Sequence, residues 1–174
     1  MKNIKLIILA ISTLLFLSSC GGDDDPVTTS YSESDIVGTW NLIDMNGTTE
    51  STTTISGISI VGTTEITTLS SDATVTFTTS PNEFAGDGSV NLRSVTTSNG
   101  GDFTTEQETN PFESGEWSIA NTTLTSTFNG ETTQTTILEL TNTRLKLKTT
   151  IDETSTDSGI TTRITGELYQ TFER

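Results

Sequence analysis

Gly115-Glu116-Trp117-Ser118-Ile119-Ala120-Asn121-Thr122-Thr123-Leu124-Thr125-Ser126-Thr127-Phe128-Asn129-Gly130 decides how the rest of the chain is read. Trp117 and Ile119 fall on one face, and Leu124, Ser126 and Phe128 share another. A spacing of two is that of a half-buried strand, in which successive side chains point to opposite faces. Asn121 and Asn129-Gly130 interrupt it with residues that tolerate positive φ, so the runs read as antiparallel neighbours joined by tight turns.

The same pattern extends both ways. Downstream, Thr132 to Leu140 places Leu138 and Leu140 on one side and Glu139 on the other. Arg144-Leu145-Lys146-Leu147-Lys148 points two leucines inward and three cations outward, and a loop at Asp152 to Gly159 is expected before a last strand, Ile160 to Phe172. Upstream, Ile36 to Met45 is expected to end in a hairpin at Asn46-Gly47. Ile55, Ile58, Ile60 and Ile66 then imply two short strands broken near Gly57 or Gly62. Ala73 to Phe77 alternates, Val90 to Leu92 leads to a turn at Asn99-Gly100-Gly101, and Phe103 to Glu108 returns from it. The chain holds 40 threonines, which suit either a disordered stalk or a pleated surface. A stalk has no periodicity, so the β reading wins. Residues 35–174 are expected to form one all-β domain, an antiparallel up-and-down meander of about eight to ten strands. A closed barrel is the first choice because closure removes exposed edges, and a two-sheet sandwich the second.

Ahead of the strands, Met1 to Ser19 has the parts of a secretory signal peptide: Lys2 and Lys5, an apolar run from Leu6 to Leu17, then small residues. The run is too short to span a membrane, which takes about 20 apolar residues. Leu17-Ser18-Ser19-Cys20 resembles the lipobox of bacterial lipoproteins. That resemblance implies cleavage before Cys20, a diacylglycerol on its sulfur, and a further acyl chain such as palmitate on the new amine. The thiolate is the nucleophile such a transfer needs, and several acyl chains make detachment rare, since each buried CH2 contributes about 0.8 kcal/mol. Cys20 is the single cysteine, which excludes an intramolecular disulfide. Residues 20–34 comprise Cys20 and a segment too polar to bury a core, which reads as a flexible acidic tether. The run Asp23-Asp24-Asp25 resembles the signal that sends lipoproteins to the cell surface in one group of Gram-negative bacteria. We therefore expect a domain anchored in the outer membrane and facing the exterior, with the periplasmic face as the alternative.

Gly38-Thr39-Trp40 resembles the G-x-W of lipocalins. Gly115-Glu116-Trp117, Asn121-Thr122-Thr123-Leu124 and the ending Phe172-Glu173-Arg174 extend the likeness to bacterial lipocalin-like lipoproteins over most of residues 36–174. The resemblance implies that Gly38 and Trp40 close one end of the barrel and that a late arginine packs over the tryptophan. Arg174 is the first choice for that role and Arg163 the second. The chain departs from better-known lipocalins in lacking a disulfide and a helix after the last strand, which argues against a deep pocket.

The formal charge of −15 becomes −17 once Lys2 and Lys5 are removed. Such a surface argues against nucleic acid and against anionic headgroups as partners. There is no histidine, so the usual imidazole-based catalysis is excluded, and we expect no enzyme, no cofactor and no metal. Asp152, Glu153 and Asp157 read as a solvated acidic loop rather than a calcium site. Phe77, Trp117, Phe128, Leu145 and Tyr169 are the candidate ligand-pocket residues, with core packing as their plainer role. Residues 36–174 hold about 35 large apolar side chains for roughly 40 inward positions in a ten-stranded barrel. Thr and Ser must fill the difference, so the interior is partly wet or the barrel flattened. Two functions compete. One is a monomeric, membrane-anchored protein that binds a small apolar or amphipathic ligand, with a cavity lined by Trp117, Phe128 and Leu145. The other is a structural or interaction lipoprotein with those side chains interdigitated and the barrel filled.

Overall fold

Threonine stiffens the backbone toward the extended region and covers a pleated sheet well, and residues 38–173 are mostly strand. The structure, a computed structural model, describes residues 30–174. The expectations for the signal segment, Cys20 and most of the tether fall outside the described residues. A short helix, α1 (Glu33–Ile36), precedes β1 (Gly38–Ile55), β2 (Ile58–Ser71), β3 (Thr74–Thr78), β4 (Glu83–Asp87), β5 (Val90–Ser98) and β6 (Gly101–Thr109). β7 (Gly115–Ala120), β8 (Thr123–Phe128), β9 (Glu131–Leu140), β10 (Arg144–Asp157) and β11 (Ile160–Glu173) complete the meander. Ser32 caps α1 through the Asp35 carboxylate, and the Tyr31 N–H donates to the Asn121 carbonyl. Residues 31–34, assigned to the tether from composition, are thus folded against the domain.

The eleven strands make eight staves of a closed barrel. β2 and β3 both lie along β1, with Gly47 opposite Ile66 and Asn41 opposite Thr74. β5 and β4 lie along that pair, and β6 and β7 along the next, so three staves are each interrupted once. β8, β9, β10 and β11 follow singly, and β11 pairs with β1 from Asn41↔Glu173 to Ile55↔Ile160 to close the ring. The closure excludes the sandwich. The interruptions fall side by side, at Asp72-Ala73, Gly88-Ser89 and residues 110–114. β1 carries its own register shift between Leu42 and Asp44. Such irregularities bend a strand and increase its twist. Below this line all eight staves curl into a ring. Above it only β6-β5-β2-β1-β11-β10 continue, as a six-stranded sheet, because β8 and β9 turn back early.

Every buried hydrophobic side chain belongs to the lower part: Ile36, Trp40, Leu42, Met45, Ala73, Val75, Phe77, Val90, Trp117, Leu124, Ile137, Leu145, Leu147 and Phe172. The upper sheet is held differently. Two-residue turns at Ser56-Gly57 and Ser158-Gly159, like Asn129-Gly130 between β8 and β9 outside it, put both residues at positive φ, the geometry that matches strand twist. The second pair beyond a two-residue turn is not hydrogen-bonded through its backbone, and its side chains lie closest. A hydroxyl bridges that pair in three hairpins of the upper sheet, Thr54–Ser59 at 3.0 Å, Thr97–Asp102 at 2.9 Å and Thr156–Thr161 at 3.1 Å, and again between β8 and β9, Thr127–Thr132 at 3.1 Å.

Three local expectations are corrected. Asn46-Gly47 is not a turn, because β1 runs straight through it. A Cβ on Gly47 would collide with the Glu167 carbonyl, and one on Gly166 with the Thr48 carbonyl, so both glycines serve the close approach of β1 and β11. Asp152 to Gly159 is not a loop, since β10 continues to Asp157 and turns only at Ser158-Gly159. On β9 the inward residue is Ile137, and Leu138 is half-exposed, because the pairing with β10 slips at Lys146/Leu147.

Candidate functional site

A barrel of this kind offers two interiors, one at the ring and one along the upper sheet. At the ring, Trp40 is fully buried and its indole N–H donates to the Ile36 carbonyl at 2.7 Å. The Arg174 guanidinium lies 4.0 Å from the centre of that indole, a cation–π contact. Its N–H groups donate to the carbonyls of Val37, Asn142 and Asp35 at 2.8, 2.7 and 3.2 Å. Gly38 has φ 125°, and a Cβ there would lie 3.0 Å from Arg174 Nη1. Gly38, Trp40 and Arg174 therefore meet at one end of the ring. Arg163, the second choice for the arginine, instead pairs with Asp152 on the outer wall at 3.0 Å.

Three of the candidate pocket residues are brought together, as packed core, and the other two lie apart from them. Phe77, Trp117 and Leu145 are buried in the core, with Phe77 and Trp117 edge to face at 5.6 Å. The Trp117 indole N–H is shared by the carbonyls of Thr78 and Glu83, both at 3.0 Å. Phe128 is half-buried at the inner end of β8. Tyr169 faces outward, opposite in alternation to the inward Leu168 and Phe172. It donates to Glu167, which also receives the Lys148 ammonium at 3.0 Å. The Tyr169 hydroxyl and the Lys148 ammonium hold the Glu167 carboxyl below its usual range, and Glu167 raises both partners.

One aromatic was missed. Phe112 sits in the interruption between β6 and β7 and packs on Phe172 at 5.6 Å. A Cβ on Gly86 would collide with it, so the ring rests on bare backbone. The signal available was Asn110-Pro111-Phe112, a strand-breaking pair followed by a lone aromatic. With Phe112 in place, the ring is filled by Trp40, Phe77, Phe112, Trp117, Leu145 and Phe172.

Above that floor the inward face changes character. Alternation from the buried positions places Thr49, Ser51 and Thr53 of β1, Ile60, Thr64 and Ile66 of β2, and Leu92 and Thr96 of β5 on it. Phe103 of β6, Ile151 of β10, and Ile164 and Leu168 of β11 complete the face. Leu92 and Leu168 pack on the core, whereas Ile164 is 36% and Phe103 66% exposed. Hydroxyls link Thr64 to Thr96 at 2.8 Å and Thr135 to Thr149 at 3.2 Å. The result is a half-open cup with apolar and hydroxyl side chains interleaved. Among the described residues no group of three or more acidic side chains is arranged to hold a metal ion, and no helix is long and apolar enough to cross a membrane.

Residues 36–147, nearly two-thirds of the chain, match the family model for the lipocalin-like domain. No curated protein and no solved structure matches the chain.

Proposed function

The chain belongs to the lipocalin-like domain family, and from that premise we propose that it is a lipid-anchored binding protein. Its ligand is a small amphipathic molecule, held in the upper cup rather than in the ring. One observation carries this: a single set of strands presents a filled aromatic interior below and an unfilled face of Ile and Thr above. Ile66, Leu92, Ile151 and Leu168 would take the apolar part of the ligand, and the Thr64–Thr96 hydroxyl pair its polar end. The fit suits a mostly apolar body with few hydrogen-bonding groups. No catalysis is assigned to it.

Native mass spectrometry of the acylated protein extracted from its own membrane tests the reading. We expect a co-purifying small molecule that is lost in an Ile151→Asp variant, which changes the cup without touching the packed ring. Ligand-free protein under several extraction conditions would favour the second reading, an interaction lipoprotein of the envelope, which the filled ring supports. The anchor is part of the proposal and has its own experiment. Cys20→Ser should abolish acylation and membrane association, and persistence of both would refute it. Protease applied to intact cells should digest the domain if it faces the exterior and spare it if it faces the periplasm.

A further inference from the structure

The upper sheet ends in unpaired strands, and one of them is built to accept another. β6 pairs with β5 on one side and with nothing else among the described residues, and Gly101 to Glu108 are all exposed. The two-residue turn at Asn99-Gly100 makes Ser98 and Gly101 a hydrogen-bonded pair. Strict alternation then turns the N–H and C=O of Asp102, Thr104, Glu106 and Glu108 away from β5. Three of these four residues are acidic: Glu106 is paired with Arg93 at 2.9 Å, whereas Asp102 and Glu108 accept only from the neutral hydroxyls of Thr97 and Ser89 and keep their charge unmatched. Phe103, on the opposite face between two of them, is 66% exposed. A free edge usually invites a second copy of its own chain, and acidic side chains on it oppose that. Here the whole chain carries −15, so repulsion between copies is strong.

We propose that the β6 edge is a docking site for an extended segment of another protein in which basic and apolar residues alternate. The segment adds beside β6 as a further strand and takes the four outward backbone pairs. Its cations face Asp102 and Glu108, and its apolar side chains cover Phe103. Main-chain bonding supplies affinity in such strand addition, and the alternate side chains supply selectivity. The inference does not depend on a small-molecule ligand in the cup.

The probe is a capped nine-residue peptide of alternating Lys and Val, with alternating Glu and Val as control, titrated against the full chain by fluorescence anisotropy. We expect the Lys peptide to bind at least tenfold more tightly than the Glu peptide, with slowed amide exchange in residues 101–109. Thr104→Pro removes an outward donor without touching the β5 ladder and should weaken binding at least tenfold. The double variant Asp102→Asn, Glu108→Gln should weaken it while leaving Phe103 and the Arg93–Glu106 pair in place. Equal binding of both peptides, or full binding by Thr104→Pro, would overturn the proposal. So would β6 protection that rises with protein concentration alone, which would make a second copy the occupant.

Discussion

The ring and the upper sheet share β1, β10 and β11 but obey different physics. Along β1 the inward side chains are Trp40, Leu42 and Met45 below, all buried, and Gly47, Thr49, Ser51 and Thr53 above. Below, stability comes from apolar area removed from water, which is non-directional and large. Above, it comes from backbone ladders and cross-strand pairs, each contributing about 0.2–1 kcal/mol. A sheet with few buried contacts opens locally more easily than the core to which it is attached. The division therefore gives the molecule a rigid floor and a compliant cup, joined by the three strands β1, β10 and β11 that run through both.

The contrast breaks most readily at the floor. Trp40→Ala removes a fully buried indole and a hydrogen bond to Ile36, and should cost about 3–5 kcal/mol in urea denaturation. A loss below about 1 kcal/mol would mean that the ring does not carry the fold. Next comes the seam where both halves share a closing pair of strands. Gly166→Ala would drive a Cβ into the Thr48 carbonyl and should cost about 1–3 kcal/mol, read by the same method. Arg174→Ala follows, at about 1–2 kcal/mol, through the lost cation–π contact and three carbonyl contacts. Arg174→Lys should recover little, because an ammonium can neither stack flat nor reach three carbonyls.

How far each half was legible follows from the range of its interactions. Local hairpins were readable, since Trp117, Ile119, Leu124 and Phe128 alternate around turns that need only Asn and Gly. Asn46-Gly47 misled because glycine serves close backbone approach as well as turns, and the approaching strand, β11, lies more than a hundred residues away. The division of three staves was invisible for the same reason, as registers across β2–β3, β4–β5 and β6–β7 are set by non-local pairing. The meeting of Trp40 with Arg174 spans almost the whole chain, and only the family resemblance pointed to it. Tyr169 was within reach, however. It stands three residues before Phe172 on one strand, so the two must lie on opposite faces, and an inward Phe172 turns Tyr169 outward.

The outer wall should respond weakly, and in opposite directions of pH. Hydrogen bonds from Tyr169 and Lys148 lower Glu167, and the Arg163 pairing lowers Asp152. A depressed carboxylate adds stability above its unfolded pKa and loses it as pH falls through the folded value, so the loss begins below about pH 4.5. Lys148 and Tyr169 are raised, chiefly by hydrogen bonds with Glu167. Their contribution is complete below their unfolded values and fades as pH climbs through the folded ones, above about pH 10. Glu167→Gln should flatten both limbs of a melting-temperature profile against pH. An unchanged alkaline limb would separate Lys148 and Tyr169 from Glu167. Because these pairs are exposed, added salt should shrink the effect.

The smallest effect should come at the tip of the upper sheet. Ile58 is 70% exposed and lies opposite Ile55, itself 42% exposed, in the first pair closing the Ser56-Gly57 turn. Ile58→Ser removes little buried area and should change unfolding free energy by no more than about 0.5 kcal/mol. Against the cost at Trp40, that difference measures how completely the core stops at the line of interruptions. A penalty at Ile58 near that of a core substitution would carry a specific meaning. The isoleucines of the tip would then be covered in solution, and the cup would be closed rather than half-open, since nothing else in this sheet could make a surface isoleucine matter to stability.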